Sequence, residues 1–235
     1  MAGEQQRAVL RIEFVEMLFA LTIAEVAVQV ANVVTQGTLD KTFLPAYAHL
    51  TLATAIVATS WVGWSTSKAP GAQHDLDKVF SYAFVVLSVD VLLVIFYFII
   101  VRGVDISYDG NTFQARPSAA NETLWVMLIF AVYFGWDVLT KILMVGDGTP
   151  IASVRSRVLN RDLGGRALRT AVCLGGAFLV WLLLRSRIDI WGVVLTDAAL
   201  ISLVFLFRAL KEPHTLWSWV LGIAYLALTG LATTQ

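Results

Sequence analysis

Residues Val79–Val101 read VFSYAFVVLSVDVLLVIFYFIIV, and this stretch decides the fold. Asp90 is the one charged residue in it. About 20 mostly apolar residues are enough to cross a bilayer core, because a helix rises about 1.5 Å per residue. The stretch lacks the alternation of a barrel strand, and a helix satisfies its own backbone hydrogen bonds in lipid. The segment therefore predicts a transmembrane helix.

Composition extends this prediction to the whole chain. Hydrophobic residues make up 58% and charged residues 14%, against about 45–50% and about 25% in soluble domains. Too little charge remains to cover a water-soluble globule. We predict an all-α, polytopic transmembrane helix bundle that forms one domain over residues 1–235. Its seven spans are Phe14–Val34, Ala46–Thr66, Val79–Val101, Leu124–Val145, Leu168–Leu184, Ile190–Phe207 and Thr215–Leu231, of which the seventh can also lie partly in the membrane interface.

The distribution of Lys and Arg predicts the orientation. A cytoplasmic N-terminus places twelve of the 17 basic residues on or near the cytoplasmic side and leaves five outside. Cytoplasmic segments are the ones that carry excess Lys and Arg. Seven spans then put the C-terminus outside. We expect a multi-pass protein of a plasma or inner membrane, with the lipid bilayer as its first partner.

Two connections between the predicted spans are longer than turns. In the external one, residues Ile106–Phe113 alternate around Asp109-Gly110, which predicts a small β-hairpin. The second, Gly146–Arg166, is expected on the cytoplasmic side and carries Arg155, Arg157 and Arg161. These three arginines favour contact with anionic lipid headgroups, and the alternative is a binding surface for a partner protein.

Four carboxylates fall inside the predicted spans: Glu25, Asp90, Asp137 and Asp197. A carboxylate at mid-bilayer costs roughly 2.5–3.5 kcal/mol on insertion scales, so such a group usually faces a partner or water. Glu25 and Asp90 each follow the cytoplasmic end of their segment by about eleven residues. They are therefore expected at a similar depth of about 16 Å.

These positions suggest a path for protons or small cations. Glu25, Gln29 and Asn32 share one helix face, and we expect Gln29 and Asn32 to line a path whose central site is Glu25 with Asp90. Asp197 and His49 lie on its outer approach, where a histidine near a carboxylate can relay protons. The structural alternative is that these groups hydrogen-bond to neighbouring helices and hold the bundle together.

Asp137 has a simpler interpretation. Lys141 follows it by four residues, so the two side chains share a helix face and predict a structural ion pair. In the second span, Trp61 and Trp64 flank Gly63. Such a pair can grip a planar ligand, although anchoring at the membrane interface is the commoner role of Trp.

Several classes of protein are excluded or disfavoured. Net charge is zero, so nothing indicates a nucleic-acid partner. Cys173 is the single cysteine, which rules out a disulfide within one chain. The seventh span has no lysine to hold retinal, and the sequence has no Walker loop and no His-Glu-x-x-His metal motif. We predict no metal and no cofactor.

The leading hypothesis is thus a channel or transporter for protons or small cations that uses membrane-embedded carboxylates. The alternative is a membrane effector or sensor that binds a partner or lipid through its basic loop. A third hypothesis is a membrane enzyme that acts on a lipid or quinone, although no catalytic residue is assigned. A pore within one bundle and a pore between the subunits of a homo-oligomer would produce the same hydropathy, so both arrangements stay open.

Overall fold

A computed structural model describes residues 2–36, 41–66, 82–104, 106–109, 112–143, 163–212 and 215–234. Within these ranges, seven helices are long and apolar enough to cross a membrane, which confirms the predicted all-α bundle. They are α1 (Ala2–Gln36), α2 (Leu44–Thr66), α3 (Tyr82–Arg102), α4 (Ala119–Asp137), α5 (Leu163–Leu184), α6 (Ile190–Lys211) and α7 (Thr215–Thr234).

Some helices extend beyond the apolar segments predicted from the sequence, because a capping residue or charged residues continue the helix. α4 begins at Ala119 because the Ser118 side chain caps it, accepting a hydrogen bond from the Ala120 N–H. Glu122 therefore belongs to the first turn of α4, although hydropathy placed it in the external connection. α4 continues into a π-helical turn at Val138–Leu143. α5 and α6 are longer than predicted, and each has 22 residues.

The predicted hairpin is confirmed. Strand β1 (Ile106–Asp109) pairs in antiparallel register with β2 (Thr112–Ala115), and Ile106 lies opposite Ala115. The two residues that join the strands, 110 and 111, lie outside the described part of the chain. The hairpin connects α3 to α4.

Successive helices alternate in direction, so the bundle has two ends. We call them the Arg102 end, where α3 finishes, and the Lys211 end, where α6 finishes. α6 is the most central helix, since 56% of its span is buried, against 17% for α1 and for α7. Large apolar side chains stay exposed on the outer helices, for example Leu21 of α1 and Leu226 of α7. Such surfaces suit contact with lipid.

The relative depth of α1 and α3 is set by two contacts. The rings of Phe19 and Tyr97 are 5.9 Å apart, and Arg102 Nε donates to Glu25 Oε1 at 2.8 Å. The paired residues are 78 and 77 positions apart in the sequence, and Glu25, as the partner of Arg102, lies close to the Arg102 end. Asp90 precedes Arg102 on α3, so it lies 12 or 13 residues farther from that end than Glu25, about 19 Å along the helix axis. The structure thus separates two carboxylates that the sequence placed at one depth.

Cross-linking tests this register. With Cys173 replaced by serine, cysteines at Glu25 and Arg102 should be joined by a short bifunctional thiol reagent, because their side chains meet. The matched pair at Glu25 and Asp90 should stay unlinked at the same dose. Electrophoretic mobility of the intact chain reports both. Efficient linking of Glu25→Cys to Asp90→Cys would contradict this register and support the sequence-based prediction that the two residues lie at the same depth.

Candidate intramembrane site

A cavity of about 300 Å³ lies among helices α1 to α6. Its mouth is at the Lys211 end, where the lining residues Thr66, Arg166 and Glu212 are exposed. Charged side chains surround the mouth, and polar and aromatic groups line the middle. The inner end is apolar and is formed by Ile56, Val126, Ile129 and Val204.

Asp90 forms part of the cavity wall. Its side chain is 5% exposed, and its Oδ1 accepts a hydrogen bond from the Trp136 indole N–H at 3.0 Å. This contact joins α3 to the last turn of α4. Of the carboxylates predicted for an ion path, Asp90 is the one that the structure places in this cavity.

Three hydroxyl groups form a chain in the cavity wall. Tyr133 Oη hydrogen-bonds to Ser60 Oγ and, at 2.9 Å, to Tyr97 Oη. The chain links α2, α4 and α3. A hydroxyl both donates and accepts, so the direction of these bonds can reverse. The arrangement can therefore pass a proton along its length without moving the helices.

Aromatic rings extend from these hydroxyls along the cavity. Phe19 contacts Trp64 with ring centroids 6.2 Å apart, and Tyr133 stacks on Phe207 at 5.3 Å with an angle of 5° between the planes. Phe130 meets both Tyr133 and Phe207 edge-on. The rings therefore form two groups, one around Phe19 and one around Phe130, which the hydrogen bond between Tyr97 and Tyr133 joins.

Ion pairs close the sides of the mouth. Asp137, which is 1% exposed, accepts a hydrogen bond from Lys211 Nζ at 2.8 Å and another from Thr170. Lys211 also lies over the Phe207 ring, 4.4 Å from its centroid. Arg208 pairs with Glu212 at 3.1 Å. The side chain of Lys141, the predicted partner of Asp137, is outside the described part of the chain.

Removing Lys211 should be costly because it leaves the buried Asp137 carboxylate without this cation. We expect Lys211→Met, which keeps the apolar stem, to lower the free energy of unfolding by about 3 kcal/mol at neutral pH. The double variant Asp137→Asn/Lys211→Met should recover most of that loss. Unfolding in mixed micelles measures both. Lys141→Met is the matched control, and a larger loss there would favour the predicted i,i+4 pair.

A second polar group lies in the other half of the bundle. His49 of α2 and Glu122 of α4 are 1% and 0% exposed, and His49 Nδ1 is 2.9 Å from Glu122 Oε1. His49 Nε2 lies 2.6 Å from the Ile100 carbonyl of α3. That carbonyl can only accept, so Nε2 carries a hydrogen. The 2.9 Å contact then places a hydrogen between Nδ1 and Oε1.

Asp197 lies near the same depth as this pair. Contacts of α6 with α4 join residues 74 to 77 apart, namely Phe207 with Tyr133 and Phe130, and Lys211 with Asp137. The same offset places Asp197 level with the first turn of α4, where Glu122 lies. Asp197 is fully buried and does not line the cavity.

Apolar residues separate the two polar regions. Ser60 and His49 are eleven residues apart on α2, and Tyr133 and Glu122 are eleven apart on α4, about 16 Å in each case. Leu52, Ile56, Val126, Ile129 and Leu200 fill the space between and are at most 1% exposed. The cavity is therefore closed toward the Arg102 end in this conformation.

The Glu122 partnership can be tested with two substitutions. Glu122→Gln keeps the shape and can donate its amide N–H to His49 Nδ1, so the free energy of unfolding should change by less than about 1 kcal/mol. Glu122→Ala should cost about 3 kcal/mol, because it leaves a void and an unsatisfied ring nitrogen. Equal stability of the two variants would show that this contact does not hold α2 and α4 together.

The remaining predicted pathway residues lie away from the cavity. Glu25 is held by Arg102 and by the Gln29 amide, whose N–H donates at 2.9 Å. Gln29 and Asn32 lie further toward the Arg102 end on α1. Arg155, Arg157 and Arg161 fall outside the described residues, so the lipid-binding or partner-binding role of that loop stays a prediction.

Sequence reasoning missed several groups that the structure brings together. Glu122 was assigned to a connection, and the signal for it was Ser118, a good N-cap just after Pro117. Lys211 was assigned to the boundary of the sixth span, not to Asp137. The pairing of Tyr97, Tyr133 and Ser60 had no local signal, because three helices supply one hydroxyl each.

The seven apolar helices define a multi-pass membrane protein, and the cavity lies among them. Comparisons of the chain with family models, with curated proteins and with solved structures found no match. The chemistry of the cavity is therefore the guide to what the protein does.

Proposed function

We propose that this chain is a membrane transporter or channel that moves protons or small cations, with Asp90 as the carboxylate that binds them. The observation that carries the proposal is the position of Asp90 in the wall of a cavity inside the membrane-spanning bundle. A carboxylate is expensive in hydrocarbon unless water or a partner reaches it. Trp136 donates to one Asp90 oxygen, and the cavity leaves room for water or a cation beside the carboxylate, which favours cations over anions.

The cavity is large enough to hold a hydrated path to Asp90. At about 30 Å³ per molecule, 300 Å³ accommodates about ten waters. Asp90 and Tyr97 lie seven residues apart on α3, or two helical turns, and so share the face that lines the cavity. Water between them would connect the carboxylate to the hydroxyl chain of Tyr97, Tyr133 and Ser60.

The apolar residues that separate the two polar regions form a layer, and this layer favours a gated mechanism over a permanently open pore. Ions or protons that enter from the Lys211 end meet Ile56, Val126 and Ile129 beyond the hydroxyl chain. Passage then needs a conformational change that wets or opens this layer. On the far side, His49 with Glu122, and Asp197 at the same depth, would be the next groups to exchange a proton. The two polar regions thus fit the two sides of a single gate.

The test is ion flux through the reconstituted protein. In proteoliposomes with an imposed potential, Asp90→Asn should lower proton or cation flux at least about ten-fold, which corresponds to about 1.4 kcal/mol. Glu25→Gln is the matched control, since it also neutralises a carboxylate in a span but lies outside the cavity. It should keep the wild-type flux. Circular dichroism and gel filtration check that each variant is folded.

Three outcomes would contradict the proposal. Wild-type flux in Asp90→Asn would remove Asp90 from the path. Loss of flux in Glu25→Gln alone would move the path to the Arg102 end of α1, away from the cavity. An inert wild-type protein across a range of cations would reject transport of this class.

A further inference from the structure

The walls of the cavity are mainly aromatic and aliphatic, and this composition bears on the kind of cation that fits. A bare metal ion must replace its hydration shell with several oxygen ligands. Among the residues that the structure describes, no group of three or more His, Cys, Asp or Glu side chains could hold a metal. Apart from Asp137 and Glu212, which are ion-paired at the mouth, the carboxylate in the described lining is Asp90, and it contacts a ring, the Trp136 indole. The site is therefore poorly suited to an inorganic ion that has lost its water.

Ring faces are a good surface for an organic cation. The negative face of Trp, Tyr or Phe attracts an ammonium group within about 6 Å of its centroid, and desolvation strengthens the contact. Phe207 already receives such a contact from Lys211 at 4.4 Å. Phe19, Trp64, Tyr97 and Tyr133 offer further rings in the same cavity.

The charges at the mouth do not exclude a cation. The six charged side chains of the lining sum to zero, since Asp90, Asp137 and Glu212 balance Arg166, Arg208 and Lys211. Lys211 and Arg208 each bind a carboxylate, at 2.8 and 3.1 Å. Arg166 is exposed, where solvent screens it. An entering cation therefore meets no uncompensated basic cluster.

We infer that the cavity binds a monovalent organic cation, an ammonium group with an aromatic or branched aliphatic substituent. The inference rests on the proposed function and names its substrate class. The ammonium group lies beside the Asp90 carboxylate, and the substituent points toward Leu93, Tyr97 and Tyr133, which line the cavity beyond Asp90. A volume of about 300 Å³ matches the lower range of small-molecule pockets, about 300–1,000 Å³.

Benzyltrimethylammonium is the probe, and neopentylbenzene is its neutral isostere, in which carbon replaces nitrogen. Isothermal titration of the full chain in detergent should show saturable 1:1 binding of the cation. The isostere should bind at least about ten-fold more weakly, because it gains neither the carboxylate nor the ring attraction. Asp90→Asn should weaken binding of the cation by a similar factor, while Glu25→Gln binds it as the wild type does.

A ring variant tests the walls without touching the carboxylate. Phe19→Leu keeps the apolar volume and removes one aromatic face, so affinity for the cation should fall a few-fold and affinity for the isostere should hold. This comparison, together with the two probes on the wild type, decides the inference even where Asp90→Asn does not fold.

The outcomes separate this inference from the transport proposal. Equal binding of the two probes, or binding that Asp90→Asn leaves unchanged, would overturn the organic-cation site. The wild-type protein could also fail to bind benzyltrimethylammonium while its proton or alkali-cation flux depends on Asp90. That result would overturn the organic-cation site and leave the transport proposal standing. Absence of both binding and flux would overturn both.

Discussion

Polar groups inside a bilayer must find partners on other helices, and this constraint sets how the helices of this chain meet. Arg102 holds Glu25 and fixes α1 against α3, Trp136 holds Asp90, and Lys211 holds Asp137. Apolar packing alone discriminates weakly between depths, because lipid is as apolar as a leucine side chain. Each polar contact fails when one helix slides by a single turn. The register of the bundle therefore depends on a few side chains.

The same constraint divides the interior into layers. Charged and hydroxyl groups gather around the cavity at the Lys211 end, while His49 and Glu122 form a buried pair in the other half. Between them, buried aliphatic side chains such as Ile56, Val126 and Ile129 fill much of the space. Two polar regions on either side of an apolar one are what the proposed gated transport requires.

Much of the fold could be predicted, and less of the site. The seven spans and the hairpin after α3 follow from local patterns, namely apolar length and strand alternation around a turn. Asp90 was found because a lone carboxylate in an apolar segment is conspicuous. Its surroundings were not found, since Trp136, Tyr133 and Tyr97 look like ordinary membrane aromatics in sequence. Glu122 was missed because hydropathy finds the apolar part of a helix and not its capped first turn.

The sequence by itself determined that the chain crosses a membrane as helices, because the composition of a segment decides whether its backbone and side chains can leave water. Only the tertiary structure decided which ionisable groups share a site. Glu25 and Asp90 have similar settings in sequence, yet the contacts of Phe19 with Tyr97 and of Glu25 with Arg102 place them about 19 Å apart in depth. Hydropathy gives the ends of a helix only to within several residues. The depth of a helix relative to a neighbouring helix is fixed by contacts between side chains that are distant in sequence.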